Sequence, residues 1–156
     1  MAAEYSAVAL QTVNPGETIV FTASPVPCER GFVRHRDGSG NFLLNGWIPQ
    51  TYGCGCSRKK SAIYFVDFGA NIAIPTGGTV GAISVAISID GSTDQASTMI
   101  VTPAAVEEFF NVSRATNVAV WRGCCETVAI RNTSDQPILV QNANIVFDRP
   151  DLVITR

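Results

Sequence analysis

The last third of the chain, from Asn117 to Phe147, restricts the possible folds most narrowly. It contains three apolar runs, and in the first two the apolar residues occupy every second position, as at Val118 and Val120. A period of two is that of a β-strand, whose successive side chains point to opposite faces. Gly, Asn, Ser, Asp and Pro residues separate the runs and favour chain reversal. This stretch therefore predicts an antiparallel β-meander.

Similar patterns upstream predict further strands and tight turns. They cover residues 7–13, 18–22, 32–44, 63–74, 83–89 and 97–102. In the fourth of these, alternate residues from Tyr64 to Ile74 form one apolar face. In the fifth, the face opposite Ile83 and Ile87 carries only small side chains, namely Ala82, Ser84, Ala86 and Ser88. A surface loop is expected over 46–60, where the pattern lapses.

The predicted fold class is all-β, an antiparallel β-sandwich of the jelly-roll type, in a single domain over residues 1–156. At most one short helical turn is expected, between Pro103 and Phe110, where Thr102 can cap and Pro103 can start a helix. An immunoglobulin-like sandwich is less suitable, because its Cys, Trp, Cys order across the two sheets is missing.

Charge and composition exclude several partners. Charged residues make up 15% of the chain, against about 25% in an average globular domain. The formal net charge of −2 gives no reason to expect binding to nucleic acid or to an anionic membrane. The first residues lack the basic and apolar regions of a signal peptide, so synthesis in a cytosol is expected.

Five cysteines leave three alternatives open. They are Cys28, Cys54, Cys56, Cys124 and Cys125. Free thiols are the preferred interpretation, because the number is odd and a cytosol is reducing. A disulfide from Cys28 to Cys54 or Cys56 is the second, and a thiolate metal site is the third, although neither the C-x-C spacing nor the adjacent pair matches structural zinc sites.

Catalytic motifs are missing from the sequence. His35 is the single histidine and is accompanied by no nucleophile motif. Glu107 and Glu108 are adjacent, so in an extended segment they point to opposite faces and cannot flank one bond. We therefore expect neither an enzyme nor a cofactor.

Several segments resemble trimeric jelly-roll domains of the tumour-necrosis-factor type, including the C-terminal domains of exosporium collagen-like proteins. The similar segments are VAVWRG at 118–123, TVAIRNTS at 127–134, IVF at 145–147, and the Asn14-Pro-Gly16 turn leading into TIVF at 18–21. The resemblance implies a homotrimer in which the sheet containing the last strand faces the three-fold axis. The chain departs from the exosporium proteins in lacking a Gly-X-Y collagen stalk.

A second resemblance covers nearly the whole chain. Residues 34–40, 75–80 and 100–106 are similar to segments of small uncharacterised proteins encoded in the genomes of clostridia and their phages. This resemblance implies a phage setting and carries no defined activity.

Two surfaces are predicted to make contacts. The last strand is apolar on both faces, and a sandwich core covers only one of them. We expect a subunit interface formed by Ile138, Val140, Val146, Ala82, Ser84 and Ala86. A cationic partner-contact patch is expected from Arg34, Arg36, Arg58, Lys59 and Lys60.

These observations predict a structural virion protein, a homotrimeric decoration or auxiliary protein on a phage capsid, made in the host cytoplasm. Its expected partners are its own copies and another virion protein. The alternative is a carbohydrate- or receptor-binding module of a phage fibre or of a spore or cell surface. That alternative needs exposed aromatic residues, for which Trp47, Tyr52 and Trp121 are the candidates.

Overall fold

A computed structural model of the chain describes residues 1–48 and 60–152. In these residues the strands are β1 (Ala2–Ala7), β2 (Gln11–Val13), β3 (Ala23–Val26), β4 (Val33–His35), β5 (Phe42–Asn45), β6 (Ser61–Ala73), β7 (Ile83–Ile89), β8 (Ser92–Thr93), β9 (Met99–Val101), β10 (Phe110–Trp121), β11 (Cys125–Asn132) and β12 (Ile138–Asp148). One 3₁₀ turn, Gln95–Ser97, lies between β8 and β9. No helix in the described ranges is long and apolar enough to span a membrane.

The strands form two antiparallel sheets. The first sheet has the order β10-β6-β12-β1-β3, and β2 pairs with the remaining length of β12. The second sheet has the order β4-β5-β11-β7-β8, with β9 also paired to β7. The predicted all-β sandwich is confirmed.

The core lies between the two sheets and follows the predicted alternation. On β6 the core face carries Ala62, Tyr64, Val66, Phe68, Ala70 and Ile72, and the same face continues to Ile74; Ala73 is buried as well. On the second sheet they include Phe42, Leu44, Ile83, Val85, Ile87, Val128 and Ile130. Because every second residue is buried, each strand leaves its other face for solvent or for a further partner.

The hairpin predicted over 32–44 is present, since β4 pairs with β5 from Val33–Leu44 to His35–Phe42. The strand predicted over 18–22 is reduced to two isolated bridges, Thr18 to Arg131 and Phe21 to Ser39. Ile19 and Phe21 are nevertheless fully buried. The apolar pattern there records burial rather than continuous pairing.

At most one helical turn is expected between Pro103 and Phe110, and this segment contains none. That segment contains bends and a turn, and the 3₁₀ turn occurs instead at Gln95–Ser97. Two local contacts replace helical bonds, because the Glu108 carboxylate accepts the N–H groups of Ala104 and Ala105. Glu107, at a φ of +58°, then donates its N–H to the Ile74 carbonyl 2.7 Å away.

Candidate subunit interface and binding site

A β-bulge in β12 decides which of its side chains face outward. The pairing with β6 shifts between Gln141 and Asn144, so β12 has one extra residue there, and Asn142 adopts a φ of +53°. A bulge of this kind reverses the alternation of side chains beyond it. Before the bulge the even-numbered residues face the core, and after it the odd-numbered ones do.

Because of this bulge, two residues predicted to lie at the subunit interface, Ile138 and Val140, do not share a face with Val146. Ile138 and Val140 are fully buried in the core of the chain itself, together with Ile145 and Phe147. An uninterrupted alternation would place Val146 on the same face as Ile138 and Val140, but the bulge turns Val146 to the opposite face, where it is half-buried. Of these three, only Val146 is available to a second chain.

The outward face of the first sheet carries exposed apolar side chains as well as polar ones such as Asp67. Ile63 is 44% exposed and Phe65 is 42% exposed, on the face of β6 opposite its core residues. Ala119 pairs with Ile63, and Asp67 pairs with Val146. We call Ile63, Phe65, Ala119 and Val146 the outward apolar patch. The alternation along β6 places Ile63 and Phe65 on the face opposite the core, so the sequence pattern contains the signal for these two residues.

The other predicted interface residues lie on the second sheet, away from this patch. Ala86 is buried within the chain, Ser84 is half-buried and Ala82 is exposed. The Ser84 hydroxyl lies 2.7 Å from that of Thr133 and its N–H bonds the Ser134 hydroxyl, so local contacts already occupy it. The six predicted interface residues therefore do not form one surface of the chain.

The predicted cationic patch is divided. Arg34 lies on the outward side of β4, and Arg36 lies in the turn between β4 and β5; both are exposed. Lys60 precedes β6, and its carbonyl accepts the Arg122 N–H in the turn between β10 and β11. That turn lies beside Asn45, the last residue of β5, whereas Arg36 lies before the first residue of β5. Lys60 is therefore at the opposite end of β5 from Arg36. Arg58 and Lys59 lie outside the described residues. No single patch joins the three described cations.

Two exposed tryptophans share the end of the sandwich at which Lys60 lies. Trp121 is 62% exposed and Trp47 is 56% exposed. The backbone next to them is in close contact, because a Cβ on Gly46 would lie 2.1 Å from the Trp121 carbonyl oxygen. Gly46 is therefore needed at this position. Tyr52, the third aromatic candidate, lies outside the described residues.

A cleft of about 550 Å³ opens beside Trp121. Its lining residues are Lys60, Ser61, Ile63, Pro150 and Asp151. Ser61 pairs directly with Trp121 in the first sheet, so the cleft lies next to the strand position of Trp121. The lining combines apolar side chains with an amine, a carboxylate and a hydroxyl group, and the cleft is open to solvent.

Arg149 is a buried cation that the sequence analysis missed. Its side chain is fully buried, and its Nε and one terminal nitrogen donate to the two carboxylate oxygens of Asp151 at 2.8 and 2.7 Å. It also donates to the Tyr64 hydroxyl and the Trp47 carbonyl, and its guanidinium lies 4.9 Å from the Tyr64 ring centre. Burial by itself lowers the pKa of Arg149, but the hydrogen bonds to Asp151 and Tyr64 outweigh it and raise the pKa.

His35 is packed inside the molecule rather than placed for catalysis. Its ring stacks on Phe42 with centres 4.4 Å apart, and Tyr5 lies 5.0 Å away. Its Nε2 lies 2.9 Å from the Ser39 carbonyl oxygen. The Nδ1 atom is buried without a hydrogen-bond partner, and the nearest carboxylate oxygen, on Asp37, is 3.9 Å distant.

The carboxylates and thiols do not gather into a metal site in the described part of the chain. Asp90 and Glu126 share a hydrogen bond, which lowers the pKa of Asp90 and raises that of Glu126; Asp90 is exposed and Glu126 is half-buried. Cys28, Cys124 and Cys125 are free thiols. Cys54 and Cys56 lie outside the described residues, so the predicted alternatives for them remain predictions.

Comparison with known proteins shows which solved structures share the fold of this chain. No protein-family model matches the sequence, and no curated protein matches it. Among solved structures, the Eiger TNF from S. frugiperda has a TM-score of 0.63 at 10% identity, covering 100% of this chain and 94% of that one. Murine APRIL has a TM-score of 0.61 at 9% identity, covering 96% and 99%.

A third similar structure is the globular domain of the zebrafish complement 1qA protein. Its TM-score is 0.58 at 12% identity, covering 99% of this chain and 98% of that one. Identities this low carry information on the fold alone. The chain has the jelly-roll fold that these C1q and TNF domains share.

Proposed function

We propose that the chain is a non-enzymatic structural protein that assembles as a homotrimer through the outward face of its first sheet. The observation that carries this proposal is the outward apolar patch, with Ile63 and Phe65 more than 40% exposed on a long central strand. Exposed aromatic and branched side chains on a sheet face mark a surface that a partner covers. The resemblance to trimeric jelly rolls favours a second and third copy as that partner.

The proposed setting is a bacteriophage particle, on which the trimer decorates or reinforces the capsid. The resemblance to proteins encoded by clostridia and their phages supports this setting, as does the low charge of the chain. A trimer presents three copies of each docking surface, so weak individual contacts with a lattice add up to firm attachment. Mass spectrometry of purified virions tests this proposed setting. Absence of the protein from the virions would contradict it.

Two matched variants test the trimer. Phe65→Glu places a charge on the outward apolar patch, whereas Leu43→Glu places one on the outward face of the second sheet at a residue of similar exposure, 36%. Light scattering after size exclusion is expected to give three times the 16.6 kDa chain mass for the native protein and for Leu43→Glu. Phe65→Glu is expected to give monomers. The proposed interface is contradicted if the native protein is monomeric, or if both variants lose the trimer to the same extent.

A second candidate function is carbohydrate binding at the end of the sandwich that carries Trp47 and Trp121. The two exposed indoles and the cleft beside Trp121 favour it, since an indole face offers a flat apolar surface to a sugar ring while Lys60 and Ser61 offer hydrogen bonds. Binding to a glycan array should be lost in Trp121→Ala and kept in Leu43→Glu. Absence of binding by the native protein would exclude this candidate.

A further inference from the structure

The turn between β10 and β11 carries two adjacent thiols, Cys124 and Cys125, both exposed and both free. Their backbone is well held. The Cys124 N–H donates to the Trp121 carbonyl at 2.9 Å, and the Cys124 carbonyl accepts the Gly46 N–H at 2.8 Å. Cys125 begins β11 opposite Asn45 of β5. A fixed backbone thus presents two accessible sulfur atoms at one site.

The two thiols are poorly placed to bond to each other. The peptide bond between them is trans, which sets consecutive Cα atoms about 3.8 Å apart. A disulfide usually needs Cα atoms about 4.4–6.8 Å apart, and shorter separations strain the bond. Oxidation therefore favours a sulfur atom from elsewhere as the partner of each thiol.

Cys28 is a poor candidate for that partner. Its side chain packs against the hydrophobic core, and its Sγ accepts the Val33 N–H at 3.4 Å. A thiol engaged in this way is less accessible than one at the surface of a turn. Among the described cysteines, the thiols of Cys124 and Cys125 on another copy are the most accessible partners.

We propose that Cys124 and Cys125 form a bivalent cross-linking site through which copies of this chain are joined by disulfides under oxidising conditions. The oxidant is a small disulfide such as oxidised glutathione. A thiolate of one copy attacks it, forms a mixed disulfide and releases one glutathione; a thiolate of a second copy then attacks the protein sulfur and releases the other. Two protein thiols and one small disulfide thus yield one protein disulfide and two small thiols.

Bivalence distinguishes this site from a single reactive cysteine. One exposed thiol per chain can link only two copies, after which it is consumed. Two thiols that do not consume each other let every copy bond to two neighbours, so linked chains can grow beyond dimers. The inference does not depend on the proposed trimer, since the links need only copies that meet at this turn.

The test uses the whole chain with Cys54→Ser and Cys56→Ser, because those two cysteines lie outside the described residues. The reduced protein is treated with oxidised glutathione and examined on non-reducing denaturing gels and by intact mass. We expect a ladder of dimers, trimers and larger species that a reductant reverses. Adding either Cys124→Ser or Cys125→Ser should stop the ladder at dimers, and adding both should leave monomers. Adding Cys28→Ser instead should leave the ladder unchanged.

Three results would overturn the proposal. A monomer lighter by two hydrogen atoms in the variant that also carries Cys28→Ser would show that the adjacent thiols bond to each other after all. Monomers carrying only glutathione would show that copies do not meet at this turn. Disulfide-linked dimers that persist after both Cys124→Ser and Cys125→Ser would show that Cys28, the one cysteine left, forms links between copies. Circular dichroism of each variant before oxidation establishes that it retains the β-sandwich, so that each result reports on the thiols.

Discussion

Arg149 and His35 are both basic side chains buried in the sandwich, yet their surroundings differ. Arg149 has a carboxylate, a phenol and a carbonyl as hydrogen-bond partners. His35 has one carbonyl at Nε2 and an unpartnered Nδ1, and aromatic rings cover its faces. Burying a charge is costly unless ionic and hydrogen-bonding partners surround it. The first site is therefore built for a cation, and the second is built for a flat ring.

The largest effect is expected where the cation is removed. Arg149→Met keeps much of the side-chain volume but leaves the half-buried Asp151 without its buried counter-ion and removes the bonds to Tyr64 and Trp47. We expect the free energy of unfolding to fall by about 3 kcal/mol, as for other broken buried pairs. Denaturant unfolding measures this loss.

The control for that variant is Arg36→Met, which removes an exposed arginine in the turn between β4 and β5. Surface substitutions usually change stability by less than about 0.5 kcal/mol. If Arg149→Met lowers the free energy of unfolding as little as Arg36→Met does, then the hydrogen bonds of Arg149 contribute little to folding.

The comparison of these two sites also shows what the sequence can predict. Alternation along β6 and β7 indicates both strands and their buried faces, because burial on one side forces a period of two. Arg149 carries no such pattern. Its partners Tyr64 and Trp47 are distant in sequence, and only the pairing of β6 with β12 and the chain reversal after β12 bring them together.

The bulge in β12 explains the main failure of the site prediction. Strict alternation would place Ile138 and Val146 on one face, and one extra residue at Asn142 places them on opposite faces. Asn tolerates the left-handed backbone region better than most residues, so the sequence permits a bulge there. It does not require one, and the bulge is seen only in the pairing with β6, where β12 has one residue more than its partner.

The sites around Arg149 and His35 each contain a tyrosine, and the pKa values of these two tyrosines reflect how the sites differ. Burial raises the pKa of Tyr64, but the hydrogen bond and positive charge of Arg149 oppose that rise. Near His35, burial together with the negative charges of Cys28 and Asp37 raises the pKa of Tyr5 from 10.0 to about 12. Absorbance titration should therefore show Tyr5 ionising near 12, and Arg149→Met should raise the pKa of Tyr64 further.

The raised pKa of Tyr5 has a defined effect on stability. Between pH 10 and 12 the unfolded chain loses the phenol proton while the folded chain keeps it, so the free energy of unfolding falls as pH rises through this range. Below pH 10 both states hold the proton and the contribution is constant. Tyr5→Phe should reduce the alkaline slope, whereas a slope unchanged in that variant would assign it to other groups.

The smallest effect is expected where His35 is replaced by another flat ring. His35→Phe keeps the stacking on Phe42 and removes the buried Nδ1 atom that has no partner. It also removes the bond to the Ser39 carbonyl, but that oxygen still accepts the Phe21 N–H at 3.1 Å. We expect a change of about 1 kcal/mol or less in denaturant unfolding, the net value of one hydrogen bond.

His35→Ala is the matched control, because it removes the same hydrogen bond and also the ring. The cavity left beside Phe42 and Tyr5 should cost about 2 kcal/mol or more. If the Phe variant loses as much as the Ala variant, then the bond to Ser39 rather than ring packing holds this site together. The site around His35 would then depend on a polar contact, as the site around Arg149 does, and the contrast between the two buried basic residues would disappear.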